Sequence, residues 1–305
     1  MSAARPITKV TFNRPKLYDK QREAIFDCVD VNGLPARYGV VEASTKAGKT
    51  VGCMAWFCEQ AFDLGKPNRN FWWVAPVYPQ AKIAFRRIKA GLTKGTFIAN
   101  ESELTIKLLE VGSVMWFKTG EKPDNLYGED VFAAVVDEAS RCREDSWIAL
   151  RSTLTATNGP VRIIGNVKGR TNWHYKIARL AESGAPGYSY HKLTAYDAVE
   201  AGVLAPEEIE DAKRLLPEAV FRELYLAEPS DDQGNPFGLN HIDRCTLPEL
   251  SDGRPVAIGI DLAKSHDWTV VIALDRNGKV CGFERWQDSW EGTVRRILNL
   301  CGNVP

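Results

Sequence analysis

The sequence predicts an α/β fold built around a mostly parallel sheet. Two observations support this: short β-branched or aromatic runs alternate with helical patterns, and a phosphate-loop-like segment joins one such run to a helix. The runs are Tyr38 to Ala43, Phe71 to Pro76, Val114 to Lys118, Val131 to Asp137 and Val161 to Gly165. A helix is expected over Val51 to Ala61. Another stretch, Pro206 to Glu228, opens with Pro206 and Glu207, suited to a first turn, and spaces Ile209, Leu215, Leu216, Val220, Phe221 and Leu224 towards one side. Pro217 should break or restart it. From Pro229 to Pro255 the composition turns to Pro, Gly, Asp and Asn, which reads as a linker. A second β pattern follows in Val256 to Asp261, Thr269 to Leu274 and Val280 to Trp286, with Asp275, Arg276, Asn277 and Gly278 as a hairpin turn, then a helical segment ending Leu300, Cys301, Gly302. The expected organisation is therefore a first domain over 1–228, a linker over 229–255 and a second domain over 256–305. Three strands and part of a helix make too small a core to stand alone, so that second domain is expected to be incomplete.

The 305 residues carry 39 Lys+Arg against 39 Asp+Glu, a formal charge of +0, and 44% are hydrophobic. This is an ordinary globular composition at a length typical of about two domains. No uninterrupted apolar stretch exceeds the length of Val131 to Val136, far short of the roughly 20 residues needed to span a bilayer. Residues 1–17 carry Arg5, Lys9, Arg14 and Lys16 with no apolar h-region, so a secretory signal is not expected and the chain is assigned to the cytoplasm. Seven cysteines without a C-x-x-C pair and four scattered histidines argue against a zinc or redox site. Zero net charge leaves the partner open, because a basic groove can be balanced elsewhere.

The strongest chemical signal is Ala43-Ser44-Thr45-Lys46-Ala47-Gly48-Lys49-Thr50, a phosphate-binding loop whose first glycine is replaced by Ala43. Small residues let main-chain N–H groups face an anion at a helix amino end. Lys49 is suited to the β- and γ-phosphates of ATP, and the Thr50 hydroxyl to Mg²⁺. A second element, Val131 to Val136 followed by Asp137-Glu138, puts two carboxylates at a strand end: Asp137 for the magnesium and Glu138 to polarise the attacking water. Upstream, Gln21 offers the donor and acceptor that read an adenine edge, with Tyr18 able to stack on the ring. Downstream, Ile163-Ile164-Gly165-Asn166 ends another strand with a polar side chain able to sense the γ-phosphate.

In this order the motifs resemble those of the large terminase subunit of tailed bacteriophages. The matching residues are Tyr18-x-x-Gln21, Ser44-Thr45-Lys46-Ala47-Gly48-Lys49-Thr50, Trp73-Val74-Ala75-Pro76-x-x-x-Gln80, Asp137-Glu138-Ala139-Ser140-Arg141 and Gly165-Asn166, with the stretch from Trp147 to Arg170 also similar. The resemblance spans nearly all of residues 15–305. It implies a P-loop ATPase domain of the ASCE type that drives double-stranded DNA into a procapsid, in the cytoplasm of the infected host cell. It further implies a portal protein and a small terminase subunit as partners, and a homo-oligomeric ring when active, with a monomer in isolation. The second domain would be the start of an RNase H-like nuclease that cuts concatemeric DNA in the complete protein. There Ile258-Gly259-Ile260-Asp261 matches the family's first metal-binding Asp, with Asp267 nearby, for Mn²⁺ or Mg²⁺; one carboxylate is not a two-metal site, so no cleavage is expected from this chain.

The sequence departs from the family where many members carry Arg four residues before the loop lysine; here that position is Thr45, followed by Lys46. The charge that stabilises the transition state then comes from Lys46, from Arg141 or Arg143, or from a neighbouring subunit. Two alternatives stand beside this reading. A helicase-like DNA translocase shares these motifs but normally carries a second RecA-like domain. A non-hydrolysing ATP-dependent DNA-binding or assembly protein would have no use for Glu138.

Overall fold

A computed structural model describes residues 14–230, 244–246, 249–263 and 267–301. The chain divides into two compact units, Met1–Pro236 and Phe237–Pro305. Most of the expected linker (231–243, 247–248), the amino-terminal cations Arg5 and Lys9, and Gly302 lie outside the described residues.

The first unit is organised by strand β1 (Tyr38–Ala43), all six residues of which are buried, as expected of a strand covered on both faces. Around it lie β2 (Asn70–Ala75), β3 (Phe97–Asn100), β4 (Thr105–Leu108), β5 (Val114–Thr119), β6 (Val131–Val136), β7 (Val161–Gly165) and β8 (Tyr188–Leu193). They form one sheet in the order β3-β4-β5-β2-β6-β7-β1-β8. From β5 to β8 every pairing is parallel, and β3 and β4 extend the sheet as an antiparallel edge. The mostly parallel α/β fold read from the sequence is the one observed.

Helices α1 (Asp19–Ile25), α2 (Lys49–Asp63), α3 (Tyr78–Gly91), α4 (Glu144–Thr153) and α5 (Trp173–Glu182) cover the sheet. Strand alternation sorts the core into two layers. Phe71, Trp73 and Ala75 of β2 pack with Phe57 and Phe85 of α2 and α3 on one face, whereas Trp72 and Val74 join Leu150 and Trp173 of α4 and α5 on the other. Burying side chains of this size contributes about 1.5–3 kcal/mol each, so the aromatic run of β2 anchors both layers. Beyond β8, helices α6 (Ala195–Glu200), α7 (Pro206–Leu215) and α8 (Glu218–Leu226) gather around a small apolar cluster of their own, Ala195, Ile209 and Phe221. The expected helix over Pro206 to Glu228 is divided at Pro217, whose missing N–H and ring stop α7 and open α8.

Three strands escaped the sequence reading. Strands β3 and β4 are four residues long, and β8 is a polar Tyr-Ser-Tyr-His-Lys-Leu run whose side chains are mostly half-buried at the sheet edge.

The second unit contains an antiparallel sheet, β11-β10-β9, made of β9 (Ala257–Asp261), β10 (Thr269–Leu274) and β11 (Val280–Trp286), followed by α9 (Trp290–Cys301). The expected hairpin turn is present. Gly278 donates to the Asp275 carbonyl at 3.0 Å from a left-handed φ of 73°, and the Asp275 carboxylate accepts from the Asn277 and Lys279 amides. Among the described residues, no helix is long and apolar enough to cross a membrane.

Candidate functional site

Strands β1, β7 and β6 lie side by side, and their carboxyl ends deliver three of the sequence motifs to one edge of the sheet. In open α/β sheets this edge is where ligands bind. From β1 the chain enters the loop Ser44 to Gly48, where Lys46 (φ 60°) and Gly48 (φ 80°) both adopt left-handed backbone. Gly48 is the N-cap of α2, which has neither a side-chain cap nor an acidic residue in its first turn. The positive end of that helix is thus left for an anion by the sequence itself. The helix begins at Lys49, two residues earlier than expected, placing Lys49 and Thr50 in its first turn.

Lys49 is buried, and its ammonium donates to Asn166 Oδ1 at 2.6 Å and lies 3.4 Å from Glu138 Oε1. Three residues separated in sequence therefore meet: the loop lysine, the second carboxylate after β6 and the polar residue after β7. Asp137 falls just past the end of β6, where its amide donates to the Val74 carbonyl at 2.8 Å and its Oδ1 accepts from the Glu138 amide. Burial raises the Asp137 carboxyl to about 7; the adjacent Glu138 pushes the same way, and Lys49 opposes them. Glu138 itself takes left-handed backbone, φ 50°, and starts a short 3₁₀ turn over Ala139–Arg141. The turn fits because residue 165 is glycine: a Cβ there would sit 3.0 Å from the Ala139 amide nitrogen and 3.4 Å from the His174 ring.

Tyr18 and Gln21 reach the same loop from α1. The Tyr18 hydroxyl donates to the Ala47 carbonyl and the Gln21 side-chain amide to the Gly48 carbonyl, each at 2.7 Å. Ser44 and Thr45 are held through their amides, which donate to the carbonyls of Leu193 and Leu224 at 2.7 Å. Lys46, Arg141 and Arg143 are exposed, and the Arg143 guanidinium lies 3.9 Å from Asp145.

Thr50 in the first turn of α2 and Asp137 just past β6 each offer an oxygen donor of the kind a hard cation such as Mg²⁺ takes. The raised Asp137 carboxyl fits as well, because a nearby cation would favour its ionised form. Asp261, by contrast, stands exposed at the end of β9, in register with Val270, and Asp267 is exposed too. Among the described residues no group of three or more His, Cys, Asp or Glu could hold a metal.

No protein-family profile matches the chain. Two curated proteins do: the large terminase subunit of Thermus virus P23-45, 27% identical over 289 residues, and that of Thermus phage G20c, 26% identical over 288. Each match takes in 79% of this chain and 59% of the relative, so the chain spans about three fifths of their length. Its fold matches the HK97 bacteriophage large terminase at a TM-score of 0.62 and 17% identity, covering 98% of this chain and 68% of that one. The chain is similar in sequence to two phage large terminase subunits and in fold to phage large terminases. The large terminase ATPase domain of Thermus phage P74-26 matches at 0.59 and 21% identity, over 70% of this chain and 94% of that domain. The large terminase of a thermophilic bacteriophage in complex with ATP-gamma-S matches at 0.53 and 12% identity, over 94% of this chain and 74% of that one.

Two further residues line the site that the motifs did not disclose. His174, in the first turn of α5, is wholly buried beside Gly165, and burial, then the charges of Arg179 and Lys49, lower its imidazole to about 4. Glu223 of α8 is buried at 4% exposure, with its carboxylate accepting from the Gly169 amide at 2.8 Å. Neither sits in a recognisable pattern; only burial of a charged or titratable group marks them, and a sequence does not print burial.

Proposed function

We propose that this chain carries the ATPase motor of a large terminase, hydrolysing ATP to move double-stranded viral DNA into a procapsid. The observation that carries the reading is the meeting of Lys49, Glu138 and Asn166 at the carboxyl ends of β1, β6 and β7, beside an uncapped helix amino end. A structural neighbour, the large terminase of a thermophilic bacteriophage, is in complex with ATP-gamma-S, which supports a nucleotide as the ligand.

In this reading the loop amides and Lys49 hold the β- and γ-phosphates, and Thr50 and Asp137 hold Mg²⁺. The metal, when bound, neutralises charge on the phosphate oxygens. With the Gln21 amide nitrogen engaged by Gly48, its carbonyl oxygen is the atom for the exocyclic amine of adenine, and Tyr18 supports the base. Glu138 takes a proton from water as the water oxygen bonds to the γ-phosphorus and ADP leaves. The Glu138 carboxylate lies 3.4 Å from the Lys49 ammonium, which holds it in place. Phosphates that draw Lys49 away free Glu138 for water and release Asn166 to report on the γ-phosphate. Lys46, Arg141 and Arg143, all exposed, are free to complete a site in cis or to reach a neighbouring subunit in a homo-oligomeric ring docked on a portal protein, with a small terminase subunit delivering DNA in the host cytoplasm. The second unit is proposed as the start of an RNase H-like nuclease. Its antiparallel sheet favours that over the second RecA-like domain of a helicase-like translocase.

Steady-state phosphate release by the purified chain, with and without DNA and procapsids, tests the reading. Lys49→Ala should abolish nucleotide binding and turnover together. A chain that binds ATP and releases no phosphate under any of these conditions is a nucleotide-dependent assembly protein instead.

A further inference from the structure

Helix α8 touches the site twice. The Leu224 carbonyl accepts from the Thr45 amide of the phosphate loop at 2.7 Å. One residue earlier, Glu223 Oε1 accepts from the Gly169 amide at 2.8 Å, from the Ser230 amide at 3.1 Å and from the Ser230 hydroxyl at 2.8 Å. Gly169 is three residues past Asn166 and has left-handed backbone, φ 56°, so its N–H direction is set by a conformation that favours glycine. Asn166 in turn accepts from Lys49, which closes a circuit: phosphate loop, α8, the loop after β7, and back to the phosphate loop.

A carboxylate this buried is costly unless its oxygens are hydrogen-bonded, and here one oxygen accepts three. The α6–α8 group has its own apolar cluster, separate from the two layers around the sheet. Polar links of this kind, rather than the shared core, therefore set how α8 follows the loops.

We infer that Glu223 is a positioning residue of the ATPase site, tying the loop that carries Asn166 to the helix that holds the Thr45 backbone. Through it, a change at the Lys49–Asn166 contact displaces α8 together with the phosphate loop. The inference rests on the ATPase reading for its role in turnover, whereas the tie itself consists of hydrogen bonds within the protein.

The test is hydrogen exchange on the full chain, parent against Glu223→Ala and Glu223→Gln, with and without Mg²⁺ and ATP-gamma-S, alongside kcat and KM for ATP. Glu223→Ala should raise amide exchange at Gly169 and, although residue 45 is untouched, at Thr45. It should lower kcat about tenfold while KM moves less than about twofold, the pattern of a group that acts in the transition state. Glu223→Gln, which retains an acceptor oxygen, should restore protection and most of kcat. Faster exchange at Gly169 with Thr45 unchanged overturns the inference, as does unaltered kcat in Glu223→Ala. Should Glu223→Ala fail to fold, Ser230→Ala, which removes one donor to the carboxylate, should show the same pair of exchange changes at smaller amplitude; unchanged exchange at Thr45 there is equally fatal. A parent that neither binds nor hydrolyses ATP refutes the ATPase reading, and the Thr45 response without nucleotide then decides the tie alone.

Discussion

Asp137 and Asp261 each stand at the carboxyl end of an apolar strand, and they meet different fates. Asp137 follows β6, a strand covered by helices on both faces, and is itself buried against Glu138 and Lys49. Asp261 ends β9, whose residues are mostly exposed, and remains exposed. Near-identical sequence signatures thus produce a perturbed carboxyl in one unit and a solvated one in the other. The difference teaches that a strand-end acid acquires chemistry from the layers that dry it and from the charges that converge on it, and only then from its position.

The comparison breaks most readily at Glu138. Glu138→Gln should leave ATP binding intact and reduce turnover by roughly 10²–10⁴-fold, the range typical of a lost general base. Phosphate release against equilibrium nucleotide binding measures both; turnover at the parent rate would place the catalytic carboxylate elsewhere.

The dryness of the site end can be read through His174. Its imidazole is lowered from 6.5 to about 4, so the neutral ring is compatible with folding, and stability is fully present above pH 6.5 and lost as pH falls towards 4. The full loss amounts to about 3 kcal/mol from this one group. Asp137 works in the opposite sense: its raised carboxyl makes the folded state relatively more stable below about pH 4, with that advantage lost as pH climbs through about 7. Urea unfolding of the parent and of His174→Gln between pH 4 and 7 isolates the histidine, since the variant should lose the part of the acid-side fall that His174 contributes. An identical acid-side slope in both proteins would mean that His174 is wetter than its surroundings imply.

A smaller effect is expected at Gly165, where an added Cβ meets the Ala139 amide nitrogen at 3.0 Å. Gly165→Ala should cost about 1–3 kcal/mol through overpacking and, by moving the turn that carries Glu138, lower kcat more than it lowers affinity. Thermal unfolding and Michaelis kinetics on the same preparation check this.

The smallest effect sharpens the contrast from the other side. Asp261→Ala should change neither ATP turnover nor stability measurably, and neither parent nor variant should nick supercoiled plasmid in Mn²⁺. Metal-dependent nicking that disappears in Asp261→Ala would show that a working nuclease site forms around that exposed residue.

What could be read in advance follows the same line. Strands β1, β2, β6 and β7 were legible because strands buried on both faces are largely apolar, and β5 because its alternating Met115 and Phe117 are buried between bulky apolar neighbours. The edge strand β8 was not, because its Tyr, Ser, His and Lys face a half-wet surface. In the site, the sequence disclosed the residues that punctuate strand ends: Lys49, Asp137, Glu138 and Asn166. It could not disclose that Tyr18 and Gln21 fasten the carbonyls of Ala47 and Gly48, or that Glu223 meets Gly169 across 54 residues of chain. Those contacts arise from packing between elements whose own patterns are only helical.

The left-handed backbone at Glu138 has a consequence for how this protein can change. A residue with a Cβ pays about 1–2 kcal/mol to occupy that region, and glycine would occupy it freely. Glu138→Gly therefore relieves strain in the turn at the same stroke that it deletes the carboxylate. On the proposed role of Glu138 as the catalytic carboxylate, selection for thermal robustness alone would push this position towards loss of turnover, whereas selection for turnover would keep a locally unfavourable residue in place. Variants screened only for a higher melting temperature should accumulate inactive members here first, a direct conflict between durability and work written into a single φ angle.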